Sequence, residues 1–332
     1  MYHERITAEK NILDYGLFVC FFPQLVSGPI STAEELIPKI KAPHKFDYRQ
    51  GKEGLKQLLW GMFIKLFIAD RLGLYVDTIY SNFAHFSGAN CFVASIFYSI
   101  QIYCDFAGYS LMAIGVAKTL GFNLVENFHR PYLASNVTDF WKRWHISLTR
   151  WLTRHIYIPL GGSRCGKVIT YRNIILTFLV SGIWHGANWT FVFWGVIHGL
   201  LLIFEKVFAW QNYDEKNLYV RVARVGLTFL LVNFAWIFFR MPNIGASCEV
   251  ISKIFSGFGS LDMAPFGGIN NIFLSLIGML ILFLKEIKDE FFNDRFLWLR
   301  KPLVRWPGYV LIFVRIIAFG VLDSGQFIYL SF

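Results

Sequence analysis

Apolar residues along the chain gather into eight runs separated by short polar segments. The runs cover residues 15–30, 55–69, 91–103, 174–183, 189–204, 225–239, 272–284 and 309–322. A simple transmembrane helix needs about 20 predominantly apolar residues, and several of these runs are shorter. Short runs indicate tilted, broken or re-entrant helices, which a bilayer tolerates only where protein or a water-filled cavity covers the backbone. The pattern therefore predicts an all-α, polytopic membrane protein shaped as a bowl with a thin floor.

The polar segments between the runs give no sign of a soluble domain, so residues 1–332 are interpreted as a single membrane domain. Residues 241–270 are rich in Gly and Ser, which predicts a loop that contains a short helix near residues 248–255. Residues 285–302 mix charges of both signs with aromatic side chains. This mixture predicts an amphipathic segment on the membrane surface.

Composition supports the membrane interpretation, because only 16% of the residues are charged and 18% are aromatic. Soluble domains carry about 25% charged residues. The net charge is +10, and the basic residues cluster in short segments such as 39–56 and 164–172. This arrangement is typical of cytoplasmic loops between membrane helices. It favours membrane lipid as a partner and disfavours nucleic acid.

The segment NVTDFWKRWHISLTRWLTRHIYIPLGG, residues 136–162, begins with capping residues and ends in Pro and Gly, which predicts one helix. At 100° per residue its basic face contains Arg143, Ser147, Arg150 and Arg154. The opposite, apolar face contains Trp141 and His145. One interpretation is an in-plane interfacial helix whose arginines contact lipid phosphates. The other is a re-entrant helix that turns His145 inward, toward a cavity shared with His185.

His185 lies within SGIWHGANW, in the middle of an apolar stretch. Ionisable residues inside membranes are rare and commonly mark functional paths, although a structural histidine bonded to a neighbouring helix is the alternative. A neutral imidazole can accept a proton from a hydroxyl or donate one to a leaving thiolate, which suits acyl transfer. His198 lies thirteen residues further on and is predicted to face elsewhere, in a structural role.

Asp105 is the other predicted buried charge, and three roles are open for it: helix packing, proton relay, or partner of an arginine on the basic face. Asp70 and Arg71 are predicted to lie at the membrane interface. The histidines and cysteines lack the spacing of metal ligands, so no metal site is predicted. The chain also lacks a Walker loop, a dinucleotide fingerprint and a nucleophile elbow.

Several long motifs occur in order, and together they resemble one known family. They are FFPQLVSGPI (21–30), YCDFAGYSLMAIGVAKTLGF (103–122), ENFHRPY (126–132), DFWKRWHISLTRWL (139–152), IYIPLGG (156–162) and GIWHGANWTFVFWGVIHG (182–199). They look like the membrane-bound O-acyltransferases (MBOAT), within it the bacterial alginate O-acetyltransferase branch. The resemblance implies a ring of tilted transmembrane helices around a funnel, with re-entrant and amphipathic helices.

The resemblance also implies an activity, which is O-acyl transfer across the membrane. An acetyl group would pass from a cytoplasmic donor, expected to be acetyl-CoA used as a co-substrate with no bound cofactor, to an extracytoplasmic polysaccharide such as alginate. A periplasmic or surface acetyltransferase is the expected partner, and the bacterial cytoplasmic (inner) membrane the expected location.

The motifs assign roles to particular residues. His185 would be the catalytic histidine, as general base or as the group that briefly holds the acyl chain. His145, 40 residues before it, would position His185 or the donor. Supporting and tunnel-lining positions are expected at Asp105, Trp141, Arg143, Trp184 and Asn188.

Three alternatives accompany this hypothesis. The sibling branch that loads D-alanine onto teichoic acids shares DFAGYS, ENF and RWH, whereas IPLGG favours the acetyl branch. A transporter could line a polar path with Asp105, His145 and His185, and a scaffold could recruit a surface enzyme without catalysis.

Two features depart from the family pattern. Family members usually have several membrane helices before FFPQL, so the domain is expected to lack the first of them. His155 stands where an acidic residue is usual.

Overall fold

The computed structural model describes residues 9–25, 28–210, 217–292 and 301–321, and in these residues the regular structure is helical, without strands. The α-helices in chain order are α1 Ile12–Val19, α2 Phe22–Leu25, α3 Ala33–Lys41, α4 Tyr48–Met62, α5 Asp70–Ser81, α6 Gly88–Thr119, α7 Val137–Arg143, α8 Ile146–Leu152, α9 Lys167–His185, α10 Trp189–Val207, α11 Leu218–Arg240, α12 Ile244–Ser256, α13 Ile269–Phe291 and α14 Pro302–Phe319. The predicted all-α membrane class is confirmed.

Five of the described helices are long and apolar enough to cross a membrane, namely α6, α10, α11, α13 and α14. Their lengths correct the expectation of short spans, because α6 has 32 residues and α11 and α13 have 23 each. Polar residues such as Asp105 and Ser110 interrupt the apolar run but continue α6, since both are buried against protein. Hydropathy therefore underestimates the length of a helix that is packed inside the domain.

The expectation of broken helices is confirmed for the first apolar run, which contains α2 and most of α1, of 4 and 8 residues respectively. The second run, residues 55–69, instead continues from α4 through a π-helical segment, Phe63–Ala69, into α5. A short helix was predicted near residues 248–255, and α12 confirms it. In the predicted amphipathic segment, residues 285–291 form the end of α13 and residues 293–300 lie outside the described residues.

Close contact between α4 and α6 depends on glycines. A Cβ atom added at Gly61 would lie 2.7 Å from the carbonyl oxygen of Gly108, and one added at Gly54 would lie 2.6 Å from that of Gly115. The glycines on the two helices thus let their backbones approach directly, as small residues do in membrane proteins. This contact places the π-helical segment beside the middle of α6.

A buried ion cluster lies where the π-helical segment meets α6. The ammonium of Lys65 is 2.5 Å from a carboxylate oxygen of Asp70 and 2.6 Å from one of Asp105, and all three side chains are buried. One partner of Asp105 is therefore a lysine of the π-helical segment, whereas one of the three open predictions gave it an arginine of the basic face. Asp70 and Arg71, which were predicted to lie at the membrane interface, are both buried in the protein. Arg71 donates to Asn271 of α13 at 2.7 Å.

Glycines also let the backbones of α9 and α10 approach each other closely. A Cβ atom at Gly182 would lie 2.4 Å from the carbonyl oxygen of Phe191, and one at Gly195 would lie 2.3 Å from that of Phe178. Asn188 begins α10, because its side-chain oxygen accepts from the backbone N–H of Thr190 at 3.1 Å. Its amide nitrogen donates to the carbonyl of Pro242 at 2.9 Å. The described hydrogen bonds of the Asn188 side chain therefore cap the N-terminus of α10 and tie it to Pro242.

Candidate active site

The segment predicted as one helix, residues 136–162, is broken at Trp144 and His145. α7 ends at Arg143, Trp144 is extended, and His145 has the left-handed backbone angles φ 42° and ψ 54° before α8 begins. Two backbone hydrogen bonds hold this break, from Ile146 N–H to the carbonyl of Asn127 and from His129 N–H to the carbonyl of Arg143, both at 2.9 Å. The prediction of one helix was therefore wrong, because contacts with residues 127–129 replace its hydrogen bonds.

The break also changes the predicted basic face. Ser147 is buried rather than exposed, and its hydroxyl oxygen accepts from the backbone N–H of Ile30 at 3.1 Å. The arginines pair with carboxylates of the protein, as follows: Arg143 with Asp139 and Glu290, Arg150 with Glu35, and Arg154 with Glu34. These pairs favour a helix docked on the protein over one whose arginines contact lipid phosphates.

His145 and His185 are both buried and both contact the ring of Trp184. The Trp184 ring centroid is 6.3 Å from that of His145 and 5.0 Å from that of His185. Burial lowers the pKa of His145, and charge on His185 would lower it further. Burial among aromatic rings also disfavours the charged form of each ring. The structure thus brings two buried imidazoles that are 40 residues apart in the chain to the same tryptophan ring.

Aromatic side chains enclose His185, which is the last residue of α9. Its ring packs edge-on against Trp194 of α10 at 5.2 Å and Phe239 of α11 at 5.0 Å. Gly186 follows with φ 153°, an angle that L side chains rarely adopt, and the chain leaves the helix there. The histidine is therefore held at the end of α9 by contacts with α10 and α11.

The other predicted positions have separate contacts. Trp141 donates through Nε1 to Nδ1 of His198 at 3.2 Å. The ring of Trp194 contacts both His185 and His198. Arg143 binds Glu290 of α13 at 2.9 Å. Only Trp184, among the five predicted supporting residues, contacts both catalytic candidates in the described ring contacts.

A cavity of about 370 Å³ lies between α7, α8, α9 and α10. Its lining consists of Thr138, Trp141, Lys142, Leu148, Thr149, Leu152, Thr153, Tyr157, Ile174, Thr177, Phe178, Ser181, Leu202 and Lys206. Most of the wall is apolar, and Lys142 and Lys206 bring two exposed cations to it. Ser181 lies one helical turn before His185 on α9, so the cavity reaches the neighbourhood of that residue.

Two residues that the sequence reasoning did not select prove central to this region. Asn127 is fully buried and contacts both His145 and Ser147. Glu205 of α10 is buried and accepts from the backbone N–H groups of Val137 and Thr138 at 2.5 and 2.8 Å. The ENFHRPY motif contains Asn127 and could have indicated it. Glu205 is a single acidic residue at the end of an apolar run, and nothing in the sequence pattern indicated its role.

Replacement of Glu205 by leucine is expected to lower the free energy of unfolding by about 1–3 kcal/mol, because the first N–H groups of α7 lose a buried, charged acceptor. Thermal unfolding in detergent would measure this. Glu249→Leu, at an exposed position of α12, is the matched control and should leave the transition in place. Equal unfolding temperatures for Glu205→Leu and Glu249→Leu would contradict the capping role of Glu205.

The fold and the site together define a polytopic helical membrane protein with two neighbouring buried histidines. The model of the membrane-bound O-acyltransferase family matches residues 6–244, and the chain belongs to this family. The resemblance drawn from the motifs is thereby confirmed.

Three relatives are informative. The chain is 40% identical to a peptidoglycan O-acetyltransferase of Helicobacter pylori over 73% of this chain and 46% of that protein. It is 36% identical to a probable alginate O-acetylase of Pseudomonas aeruginosa over 85% of this chain and 53% of that protein. A teichoic acid D-alanyltransferase of Bacillus subtilis is 26% identical over 67% of this chain and 60% of its own length. The chain spans about half the length of the O-acetylating relatives it matches.

Proposed function

We propose that the protein is a membrane O-acyltransferase that transfers acetyl groups toward an extracytoplasmic polysaccharide. The observation that carries this proposal is the pair of buried imidazoles, His145 and His185, which both contact Trp184. The relatives named for acetyl transfer are 36–40% identical to the chain, whereas those named for D-alanyl transfer are 24–26% identical. This difference favours acetyl over D-alanyl transfer, and a glycan such as alginate or peptidoglycan as the acceptor.

In the proposed reaction, His185 is the general base. An acceptor hydroxyl attacks the carbonyl carbon of the thioester, a C–O bond forms, and the C–S bond breaks. The imidazole takes the proton of the hydroxyl and returns it to the departing thiolate, so the ring ends neutral, as it began. Burial among Trp184, Trp194 and Phe239 favours the neutral form of the His185 ring, which is the form that the reaction needs at its start.

We propose acetyl-CoA as the donor, because the cavity below His185 suits an anionic thioester. Lys142 and Lys206 would attract its phosphates, and the apolar wall between them and Ser181 would accept its uncharged arm. The basic segments also support a cytoplasmic donor.

A substitution that fills the cavity tests the donor path. Thr177→Trp is expected to raise KM for acetyl-CoA about tenfold with little change in kcat, because the added ring competes for the cavity in all bound states alike. Initial rates in membrane vesicles over a range of acetyl-CoA concentrations would measure this. Val180→Trp, on the more exposed side of α9, is the matched control. An unchanged KM in Thr177→Trp would exclude this cavity as the donor path.

The activity itself can be tested with membranes that contain the protein and radiolabelled acetyl-CoA. Transfer of label to an added polysaccharide would support the proposal, and transfer only with a D-alanyl donor would favour the sibling reaction. A periplasmic or surface acetyltransferase is proposed to complete the transfer, and the bacterial inner membrane is the proposed location. Asp105 gives no specific support to a transporter, because its ion pair with Lys65 accounts for its burial.

A further inference from the structure

We propose that Asn127 is a positioning residue that sets the tautomer of His145, keeping the proton on Nδ1 and leaving Nε2 as the acceptor of the ring. The inference rests on the proposed function in one respect, because the tautomer matters only if His145 takes part in acyl transfer. It concerns a residue that lies 18 positions before His145 and belongs to the loop that follows α6.

The orientation of the Asn127 amide follows from its neighbours. Its side-chain oxygen lies 3.2 Å from the backbone nitrogen of Ser147, which can only donate. Its side-chain nitrogen lies 3.1 Å from the hydroxyl oxygen of Ser110, which can accept. Reversal of the amide would place two donors against each other at Ser147. The oxygen is therefore the atom that faces His145, and this assignment comes from the hydrogen-bond network.

The tautomer of His145 follows in turn. Nδ1 of the ring lies 3.1 Å from the same Asn127 oxygen, and an amide oxygen can only accept. Nδ1 must therefore carry hydrogen, and in the neutral ring Nε2 is then the unprotonated nitrogen. The hydroxyl of Ser147 donates to this oxygen as well, at 2.9 Å, while its own oxygen accepts from the N–H of Ile30. In each of these hydrogen bonds, the donor and the acceptor are therefore fixed.

Asn127 also holds the backbone that carries the ring. Its main-chain carbonyl accepts from Ile146 N–H at 2.9 Å, immediately after the left-handed His145. One residue thus fixes both the helix break and the proton of the ring. Loss of the side chain would leave the Nδ1–H of a buried histidine and the N–H of Ser147 without an acceptor, an outcome that a folded protein avoids.

The experiment compares Asn127→Asp and Asn127→Leu with the wild type in acetyl transfer over a range of pH. A carboxylate in place of the amide still accepts from Nδ1–H, but its charge stabilises the imidazolium form. More alkaline solution is then needed to obtain the neutral ring. We expect the acid limb of the kcat/KM profile of Asn127→Asp to move to higher pH by about one unit. Asn127→Leu should lose about 10–100-fold in activity.

Controls separate this role from a purely structural one. Asn123→Asp makes the same chemical change at an exposed site four residues away and should leave the profile in place. Thermal unfolding in detergent shows whether each variant is folded, and if Asn127→Leu is not, Asn127→Asp decides. An unmoved acid limb in a folded, active Asn127→Asp would overturn the inference. Absence of acetyl transfer in the wild type would instead refute the proposed function.

Discussion

His185→Gln is expected to abolish acetyl transfer, with a loss of at least about 10²–10⁴-fold, while the protein still folds and enters the membrane. Removal of a general base costs a factor of this size, and glutamine retains polarity and approximate volume among Trp194 and Phe239. Transfer of labelled acetyl groups from acetyl-CoA in membrane vesicles would measure the loss. Protein amount and thermal unfolding would be measured in the same vesicles, so that a folding defect is recognised.

A second histidine supplies the control for this result. His155 lies beyond the helix break, is more exposed than His185 and stacks on Trp151. His155→Gln should therefore retain the activity of the wild type. Acetyl transfer at the wild-type rate in a folded His185→Gln variant would refute the assignment of His185 as the catalytic base.

Lys65→Met is expected to lower the free energy of unfolding by about 3–5 kcal/mol, the usual cost of removing one partner from a buried ion pair. The ammonium of Lys65 lies within 2.6 Å of carboxylates of both Asp70 and Asp105. Methionine fills similar space without charge and leaves two carboxylates near each other in the interior. Thermal unfolding in detergent, or the yield of folded protein in membranes, would measure the effect.

Two further variants establish that charge is the cause. Lys45→Met removes an exposed lysine and should be neutral. Lys65→Met combined with Asp70→Asn and Asp105→Asn removes all three charges, and it should recover part of the lost stability because no unpaired carboxylate remains. If Lys65→Met alone unfolds at the same temperature as the wild type, the ion cluster contributes little to stability.

The apolar runs predicted where helices occur but not how far they extend. Transfer of apolar side chains into lipid is a local property, which a sequence window can estimate. The length of α6 depends instead on Asp105 and Ser110, which are polar yet buried by contacts with other elements. A continuous run of apolar residues ends before them, because the groups that satisfy them lie elsewhere in the chain.

Helical periodicity failed most clearly between residues 136 and 162. The pattern there matches one amphipathic helix, and it correctly placed His145 away from the arginines. It placed Ser147 wrongly, because Asn127 and its neighbours accept and donate the hydrogen bonds that a continuous helix would use internally. Periodicity assumes those bonds remain within the helix, so a break imposed by another loop is invisible to it.

The sequence by itself determined the membrane class, the position of the main helices, the family and, through its motifs, the choice of His145 and His185. Only the tertiary structure decided which side chains meet: Lys65 with two aspartates, Asn127 with His145, and Glu205 with the start of α7. The physical reason is range. Hydropathy and helix propensity act within a few residues of the chain, whereas hydrogen bonds and ion pairs require atoms about 3 Å apart whose residues can be far apart in sequence.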